Sequence, residues 1–155
     1  MRAILHALKY EGRRSLAPPL GALMRARGAE VLADAEYAVP VPLHWRRRWR
    51  RGFNQAAALA RPLGLPVAHA LVRRRHTRPQ ADLPAPQRLE NLRGAFAVRG
   101  AAGLRGRCVV VVDDVSTTGA TLESCGRALM EAGVREVRAL TAARAVLGRP
   151  PSPRR

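Results

Sequence analysis

Residues 109–121 read VVVVDDVSTTGAT and contain the most apolar run of the sequence. Four consecutive valines are apolar on both faces of an extended chain and β-branched, a pattern typical of a central strand in a parallel sheet covered by helices. With the preceding cysteine, they predict a strand over 108–112. Two aspartates and a turn rich in hydroxyl groups follow, so the strand should end in a polar edge.

The segments around this strand alternate between helical and extended patterns. A helix is predicted over 118–132, burying Leu122, Cys125 and Leu129, with Gly133 as its stop. A strand over 135–143 follows, and this order demands a right-handed parallel crossover. The remaining elements are predicted as helices over 2–10, 20–32 and 53–63, a strand over 36–42 that ends at Pro40 and Pro42, and short strands over 71–72 and 95–98.

Length and composition favour one α/β domain. The 155 residues accommodate a single domain over 1–147, with a disordered tail over 148–155. No apolar run is long enough to insert into a membrane, and we identify no secretory signal. Cys108 and Cys125 lack disulfide or metal-ligand spacing and suit the core of a cytoplasmic protein. The formal charge of +17 comes almost entirely from arginine, which suits an anionic partner or simply reflects genome composition.

The acidic pair and the turn after it predict a ligand site. Ligands of open α/β sheets bind beyond the carboxyl ends of the strands, where Asp113 and Asp114 are expected. The next residues lead into a helix N-terminus that favours a phosphate, with Gly119 allowing close approach. Carboxylates beside a phosphate suit sugar hydroxyls or a metal ion, so the pattern indicates a phosphorylated sugar. The alternative is that both aspartates only cap the helix and pair with arginines. No Walker loop or dinucleotide motif is present.

The same residues resemble a known family. The stretch VVVVDDVSTTGAT is similar to the 5-phosphoribosyl 1-pyrophosphate motif of type I phosphoribosyltransferases. More narrowly, KYEGRRSLA (9–17), VPVPLHWRRRWRRGFNQA (39–56) and RPQADLPAPQRLENLRGAFAV (78–98) resemble the ComF family of competence-related proteins, in the order of that family. The resemblance runs from about residue 5 to residue 145. It implies a type I phosphoribosyltransferase-like fold, a mainly parallel central sheet flanked by helices with a flexible loop over the site.

The resemblance also assigns roles to matching positions. Asp113 and Asp114 would be catalytic and would contact the ribose hydroxyls. The 5-phosphate would be bound by Ser116, Thr117, Thr118, Gly119, Ala120 and Thr121. The pyrophosphate would be bound by Val41, Pro42, Leu43, His44 and Arg51. Residues 73–93 would form the flexible loop, and 51–55 (RGFNQ) is a family signature without a clear role.

The implied activity is a phosphoribosyltransferase reaction with Mg²⁺. Displacing pyrophosphate by an unidentified nitrogen nucleophile builds positive charge on the ribose ring, which carboxylates stabilise. Magnesium is expected through the bound substrate. Many relatives carry a zinc module, but this sequence has no Cys-x-x-Cys, so we expect no structural zinc. It also lacks a glutaminase domain, which excludes a complete glutamine-dependent amidotransferase.

A second hypothesis is that the chain binds single-stranded DNA. Aromatic residues alternating with arginines can stack bases within a basic groove. Here these residues are Trp45, Arg46, Arg47, Arg48, Trp49 and Arg50, followed by Phe53. ComF proteins are associated with DNA uptake, so the phosphoribosyl site could serve sensing in a non-catalytic competence module. Alternatively, the tryptophans pack under the sheet edge, or the fold only supports partner binding. A homodimer is left open.

Overall fold

The computed structural model describes residues 14–43, 53–74 and 94–145. In chain order these residues form a short 3₁₀ turn at Arg14–Leu16, α1 (Ala17–Arg27), α2 (Ala29–Leu32), β1 (Tyr37–Pro40), α3 (Gln55–Ala60) continuing as a 3₁₀ turn (Arg61–Leu63), β2 (Leu71–Arg73), β3 (Phe96–Val98), a 3₁₀ turn (Ala101–Leu104), β4 (Cys108–Ser116), α4 (Ala120–Glu131) and β5 (Glu136–Arg144). The predicted α/β class is confirmed.

The main sheet has three parallel strands in the order β1-β4-β5. Tyr37 of β1 is aligned with Val109, and Val112 of β4 is aligned with Leu140 of β5. A single parallel bridge between Ala38 and Val67 extends the pairing beyond β1. The valine run therefore lies in the centre of a parallel sheet, as predicted.

The four valines divide between two cores because successive side chains of a strand point to opposite faces. Val109 and Val111 pack into a cluster with Cys125 and Leu129 of α4. Val110 and Val112 pack on the other face into a cluster that includes Leu20 and Met24 of α1 and Leu59 of α3. All four valines are completely buried, and each contributes roughly 1.5–3 kcal/mol of hydrophobic stabilisation.

Two predicted helices are interrupted for local reasons. The expected helix over 20–32 begins earlier, with its prolines in the first turn, and is split at Gly28 into α1 and α2. A Cβ on Gly28 would lie 2.7 Å from a methyl carbon of Leu140, so close packing on β5 requires glycine there. The helix expected over 53–63 is α-helical only over Gln55–Ala60, because Pro62 cannot donate the next α-helical hydrogen bond.

The two short strands predicted in the middle of the chain pair with each other. β2 and β3 form an antiparallel ladder in which Leu71 is aligned with Val98 and Arg73 with Phe96. Buried Leu71 and Phe96 join the α4 side of the core. This small sheet therefore covers one face of the main sheet and is separate from it.

The amino end of the main sheet is fixed by an ion pair. The guanidinium of Arg107 donates to the carboxylate of Glu36 over 2.5 Å, and the same carboxylate accepts from the backbone N–H of Cys108 over 3.2 Å. The Arg107 hydrogen bond and then the Cys108 amide lower the pKa of Glu36. These contacts join the residue before β1 to the first residue of β4.

Among residues 14–43, 53–74 and 94–145, no helix is both long and apolar enough to cross a membrane. The expected helix over 2–10 and the tail over 148–155 lie outside the described residues. The single domain over 1–147 stays a prediction.

Candidate functional site

The acidic pair lies where the carboxyl ends of β1 and β4 meet. β4 continues four residues past the predicted end at Val112, because β5 keeps pairing with it as far as Ser116. Asp113 and Asp114 are therefore inside the second half of the strand. The N–H of Val41, just after β1, donates to the carbonyl of Val112 over 2.9 Å. The turn over 41–43 thus lies beside the acidic pair.

The two aspartates have different surroundings. Asp114 is 9% exposed, whereas Asp113 is only half-buried. A carboxylate oxygen of Asp113 accepts from the backbone N–H of Asp114 over 2.8 Å, which fixes that carboxylate next to the main chain. Burial, and then the charge of Asp113, raise the pKa of the Cys125 thiol, so Asp113 lies on the α4 face. Strand alternation directs Asp114 to the face covered by α1 and α3.

The turn after β4 leads into the N-terminus of α4. Ser116 is the last residue of the strand, and Thr117–Gly119 form the turn, so the helix begins at Ala120 rather than at the predicted 118. Gly119 has a φ of +82°, a conformation that glycine adopts without strain. A Cβ built there would meet none of the described residues within 4 Å, so these residues leave the space in front of the turn open.

The turn brings the hydroxyl of Thr118 and the first amides of α4 to the edge of this open space. The hydroxyl of Thr118 accepts a long hydrogen bond, 3.5 Å, from the N–H of Ala120. The first-turn amides of a helix lack intrahelical partners and carry the positive end of its dipole. The arrangement is suited to an anion such as a phosphate.

Asn54 connects the turn after β1 to α3. Its side-chain oxygen accepts from the N–H of Ala56 over 3.0 Å and so caps the helix. Its side-chain nitrogen donates to the carbonyl of Val41, also over 3.0 Å. The sequence placed Asn54 in a signature without a clear role. The structure shows that it fixes the N-terminus of α3 against the carboxyl end of β1.

Gln55, the next residue, is 1% exposed. Among the described residues, neither its side-chain oxygen nor its side-chain nitrogen has a hydrogen-bond partner. In the described part of the chain, Gln55 and Asp114 are the two polar or charged residues that are buried. Burial of an unpaired carboxamide was not predictable from the sequence pattern.

Arg73 places a positive charge on the α4 face of the sheet. Its guanidinium carbon lies 5.5 Å from the ring centre of Phe96, in a cation–π contact. Its charge favours the thiolate of Cys125, opposing the larger effect of burial and the effect of Asp113. The charges of Arg73 and Asp113 therefore shift the pKa of the same buried thiol in opposite directions. The sequence assigned Arg73 only to the start of a flexible loop.

Several predicted site residues lie outside the described residues. These are His44, Arg51, the aromatic and arginine segment over 45–50, and 75–93 of the predicted flexible loop. Within the described ranges, no group of three or more His, Cys, Asp or Glu side chains is arranged to hold a metal ion.

A sequence model of the phosphoribosyl transferase domain family matches residues 49–152. Competence protein F of Haemophilus influenzae is 39% identical over 130 residues, covering 80% of this chain and 57% of the relative. DNA utilization protein YhgH of Escherichia coli K12 is 36% identical over 144 residues, covering 86% of this chain and 63% of the relative. The chain thus spans about three fifths of the length of these relatives.

Among solved structures, the allosteric regulatory enzyme of purine biosynthesis superposes with a TM-score of 0.53 at 22% identity. The match covers 82% of this chain and 26% of that enzyme. At this identity the likeness concerns the fold, and together with the family match it agrees with the predicted phosphoribosyltransferase-like architecture.

Proposed function

The chain belongs to the phosphoribosyl transferase domain family, and from that premise we propose that it binds 5-phosphoribosyl 1-pyrophosphate with Mg²⁺ and displaces the pyrophosphate by a nitrogen nucleophile. The observation that carries the proposal is the shared edge formed by the acidic pair of β4 and the open turn into α4. A phosphate site and two carboxylates within one short segment match the two ends of a phosphorylated sugar.

Each part of the ligand has a matching part of the site. The 5-phosphate lies on the turn over 116–121, where backbone amides and hydroxyls donate. The ribose hydroxyls lie against Asp113 and Asp114. The pyrophosphate lies along the turn over 41–43, which the Val41–Val112 hydrogen bond holds beside the acidic pair. Arg51 and His44 are the side chains that the family resemblance offers to the leaving group.

Magnesium fits this donor set as an ion that arrives with the substrate. Mg²⁺ is typically held by one or two carboxylates together with substrate phosphates and waters. Asp113 and Asp114 supply the carboxylates, and the ligand supplies the remaining oxygens. The bound ion would offset charge on the leaving pyrophosphate.

The residues of this chain would contribute mainly electrostatic stabilisation. As the bond to pyrophosphate breaks, positive charge develops on the ribose ring, and the adjacent carboxylates stabilise it. Asp114 is the more effective of the two because its burial excludes water, which strengthens the interaction. The acceptor loses a proton in the reaction. The free, buried thiols of Cys108 and Cys125 suit the cytoplasmic location that we propose.

Binding is tested by calorimetric titration of the native chain with 5-phosphoribosyl 1-pyrophosphate, with and without Mg²⁺. Ribose 5-phosphate and inorganic pyrophosphate serve as separate fragments of the ligand. We expect saturable, Mg²⁺-dependent binding that is tighter than that of either fragment. Equal, weak binding of all three anions would contradict the proposal, because a strongly basic chain attracts any polyphosphate.

Catalysis is tested by release of pyrophosphate in the presence of candidate nitrogen acceptors. We expect release that depends on an acceptor and saturates with its concentration. Release that water alone supports at the same rate would show hydrolysis rather than transfer.

The names of two relatives favour a second candidate function, handling of single-stranded DNA. They are called competence protein F and DNA utilization protein. The test is fluorescence anisotropy of labelled single-stranded DNA across a salt series, using the native chain and the W45A/W49A variant. Base stacking predicts a large loss of affinity in the variant, whereas binding through arginine alone predicts unchanged affinity with a steep salt dependence.

A further inference from the structure

Gln55 is a buried polar side chain whose chemistry the proposed reaction does not use. Its carboxamide can donate two hydrogen bonds and accept two, yet none is made. Because an unpaired buried polar group costs free energy, such groups in folded proteins call for an explanation. The residue is 1% exposed, so bulk solvent does not supply the missing hydrogen-bond partners.

The position of Gln55 in the fold places its side chain under the candidate site. Leu59, one helical turn later on the same face of α3, is fully buried in the cluster that contains Val110 and Val112. The hydrogen bond from Asn54 to Val41 fixes the N-terminus of α3 at the carboxyl end of the sheet. Gln55 is therefore closer than Leu59 to the carboxyl edge of the sheet.

The same geometry brings Gln55 to the face of the sheet that carries Asp114. Val110, Val112 and Asp114 alternate along β4 and point to the side covered by α3. The two buried polar residues of the described chain thus share one face and one end of the sheet. The turn over 41–43 leaves β1 at this same edge of the sheet. The N–H and carbonyl of Val41 are already bonded to Val112 and Asn54, and Pro42 has no N–H, so the turn can offer the N–H of Leu43 and the carbonyls of Pro42 and Leu43.

We propose that Gln55 is a positioning residue, whose carboxamide forms its hydrogen bonds with the turn over 41–43 only when the phosphoribosyl ligand is bound. This inference rests on the proposed function. In the free protein the carboxamide is buried without partners among the described residues. In the bound form Pro42 and Leu43 close on the pyrophosphate and their peptide groups reach the carboxamide, while Val41 keeps its hydrogen bonds to Val112 and Asn54. Ligand binding therefore removes a destabilising feature of the free protein, which favours the bound form of the turn.

This arrangement predicts opposite effects of one substitution on stability and on binding. Replacing an unpaired buried group by an apolar one of similar shape is neutral or stabilising. Gln55→Met should therefore melt at the same temperature as the native chain or higher when no ligand is present. The same variant should bind 5-phosphoribosyl 1-pyrophosphate with Mg²⁺ at least about tenfold more weakly, because the hydrogen bonds of the bound form are lost.

The experiment measures melting temperature without ligand and calorimetric affinity for 5-phosphoribosyl 1-pyrophosphate with Mg²⁺. Gln55→Leu repeats the test with a different apolar shape. Leu59→Met, one turn along the same buried face, is the matched control and should keep native affinity.

A lower melting temperature or failure to fold in both Gln55 variants would overturn the inference, because it would show that the carboxamide already stabilises the free protein. Native affinity in both variants would overturn it as well. Failure of the native chain itself to bind would instead refute the proposed function, and this inference with it. That result is distinguishable because it appears before any variant is made.

Discussion

At the amino end of the main sheet, the carboxylate of Glu36 has two partners, the guanidinium of Arg107 and the N–H of Cys108. At the carboxyl end, the carboxamide of Gln55 is more deeply buried and has none. Both ends are joined by the same central strand, β4. Charge and polarity therefore serve different purposes at its two ends.

At the amino end, polar contacts fix the positions of chain segments. Arg138 of β5 donates to Glu136 over 2.7 Å and also to the backbone carbonyls of Val31 and Ala33. These contacts join β5 to the segment that precedes β1. At the carboxyl end, a buried carboxylate, an unpaired carboxamide and an open helix N-terminus are kept together at a cost in stability. Such a cost is typical of a site whose missing partner is a ligand.

The largest effect is expected from substitutions at the two ends of α4, since each end has a glycine of positive φ. Gly119, at the start, has φ +82°, and Gly133, after the end, has φ +92°. Alanine at either position should cost roughly 1–2 kcal/mol of backbone strain. Gly119→Ala should also weaken binding of 5-phosphoribosyl 1-pyrophosphate by at least about tenfold, because the new methyl group occupies the open space before the turn.

Gly133→Ala is the matched control for that prediction. Gly133 lies at the end of α4 that is far from the candidate site. A Cβ there would lie 3.3 Å from the side chain of Arg105, which can shift to make room. We expect a similar drop in melting temperature and native affinity. Equal losses of affinity in the two variants would show that strain in α4, rather than the turn at Gly119, controls binding.

A smaller effect is expected from the contact that fixes the turn after β1. Asn54→Ala removes both the helix cap and the hydrogen bond to Val41, and should cost about 1 kcal/mol of stability. Asn54→Ser keeps a capping oxygen but is too short to reach Val41. Chemical denaturation and calorimetry on both variants should show lost stability mainly in the alanine variant and weaker ligand affinity in both. Native affinity in the serine variant would show that the Val41 contact has no part in binding.

The smallest effect is expected at the amino end and depends on pH. The pKa of Glu36 in the folded chain is below its ordinary value of 4.5, so its contribution to stability is present above that value and is lost as the pH falls through the folded pKa. Glu36→Gln should lower the melting temperature slightly at neutral pH, because the pair is partly exposed. The difference from the native chain should disappear in strong acid, and ligand affinity at neutral pH should be unchanged. A difference that grows as the pH falls would contradict the assignment.

The sequence alone predicted the parts of the molecule that depend on local patterns. Continuous β-branched residues identified β4, and the residues after the four valines identified the acidic edge and the turn. Gly133 was correctly predicted as the end of α4, since its conformation depends on neighbours in the chain. The early end predicted for β4 was wrong because strand length depends on pairing with β5, which a local pattern does not contain.

The parts that were missed depend on contacts between distant residues. Asn54 acquires its role through Val41, and Glu36 through Arg107, 71 residues later in the chain. Gln55 stands in a recognised signature, but its burial follows from the packing of α3 on the sheet. Polar residues that follow a turn are usually exposed, so no sequence rule would have indicated a buried, unpaired carboxamide.

Recognition of a phosphoribosyl group at the carboxyl end of the sheet depends on the two carboxylates of Asp113 and Asp114. The direct measurement is calorimetric affinity for 5-phosphoribosyl 1-pyrophosphate with Mg²⁺ in three folded proteins: the native chain, D113N/D114N and E36Q/R107Q. Removing two carboxylates from a chain of formal charge +17 should strengthen any non-specific attraction to an anion. Specific recognition instead predicts that D113N/D114N loses detectable binding while E36Q/R107Q keeps native affinity. Equal or tighter binding by D113N/D114N would contradict the claim.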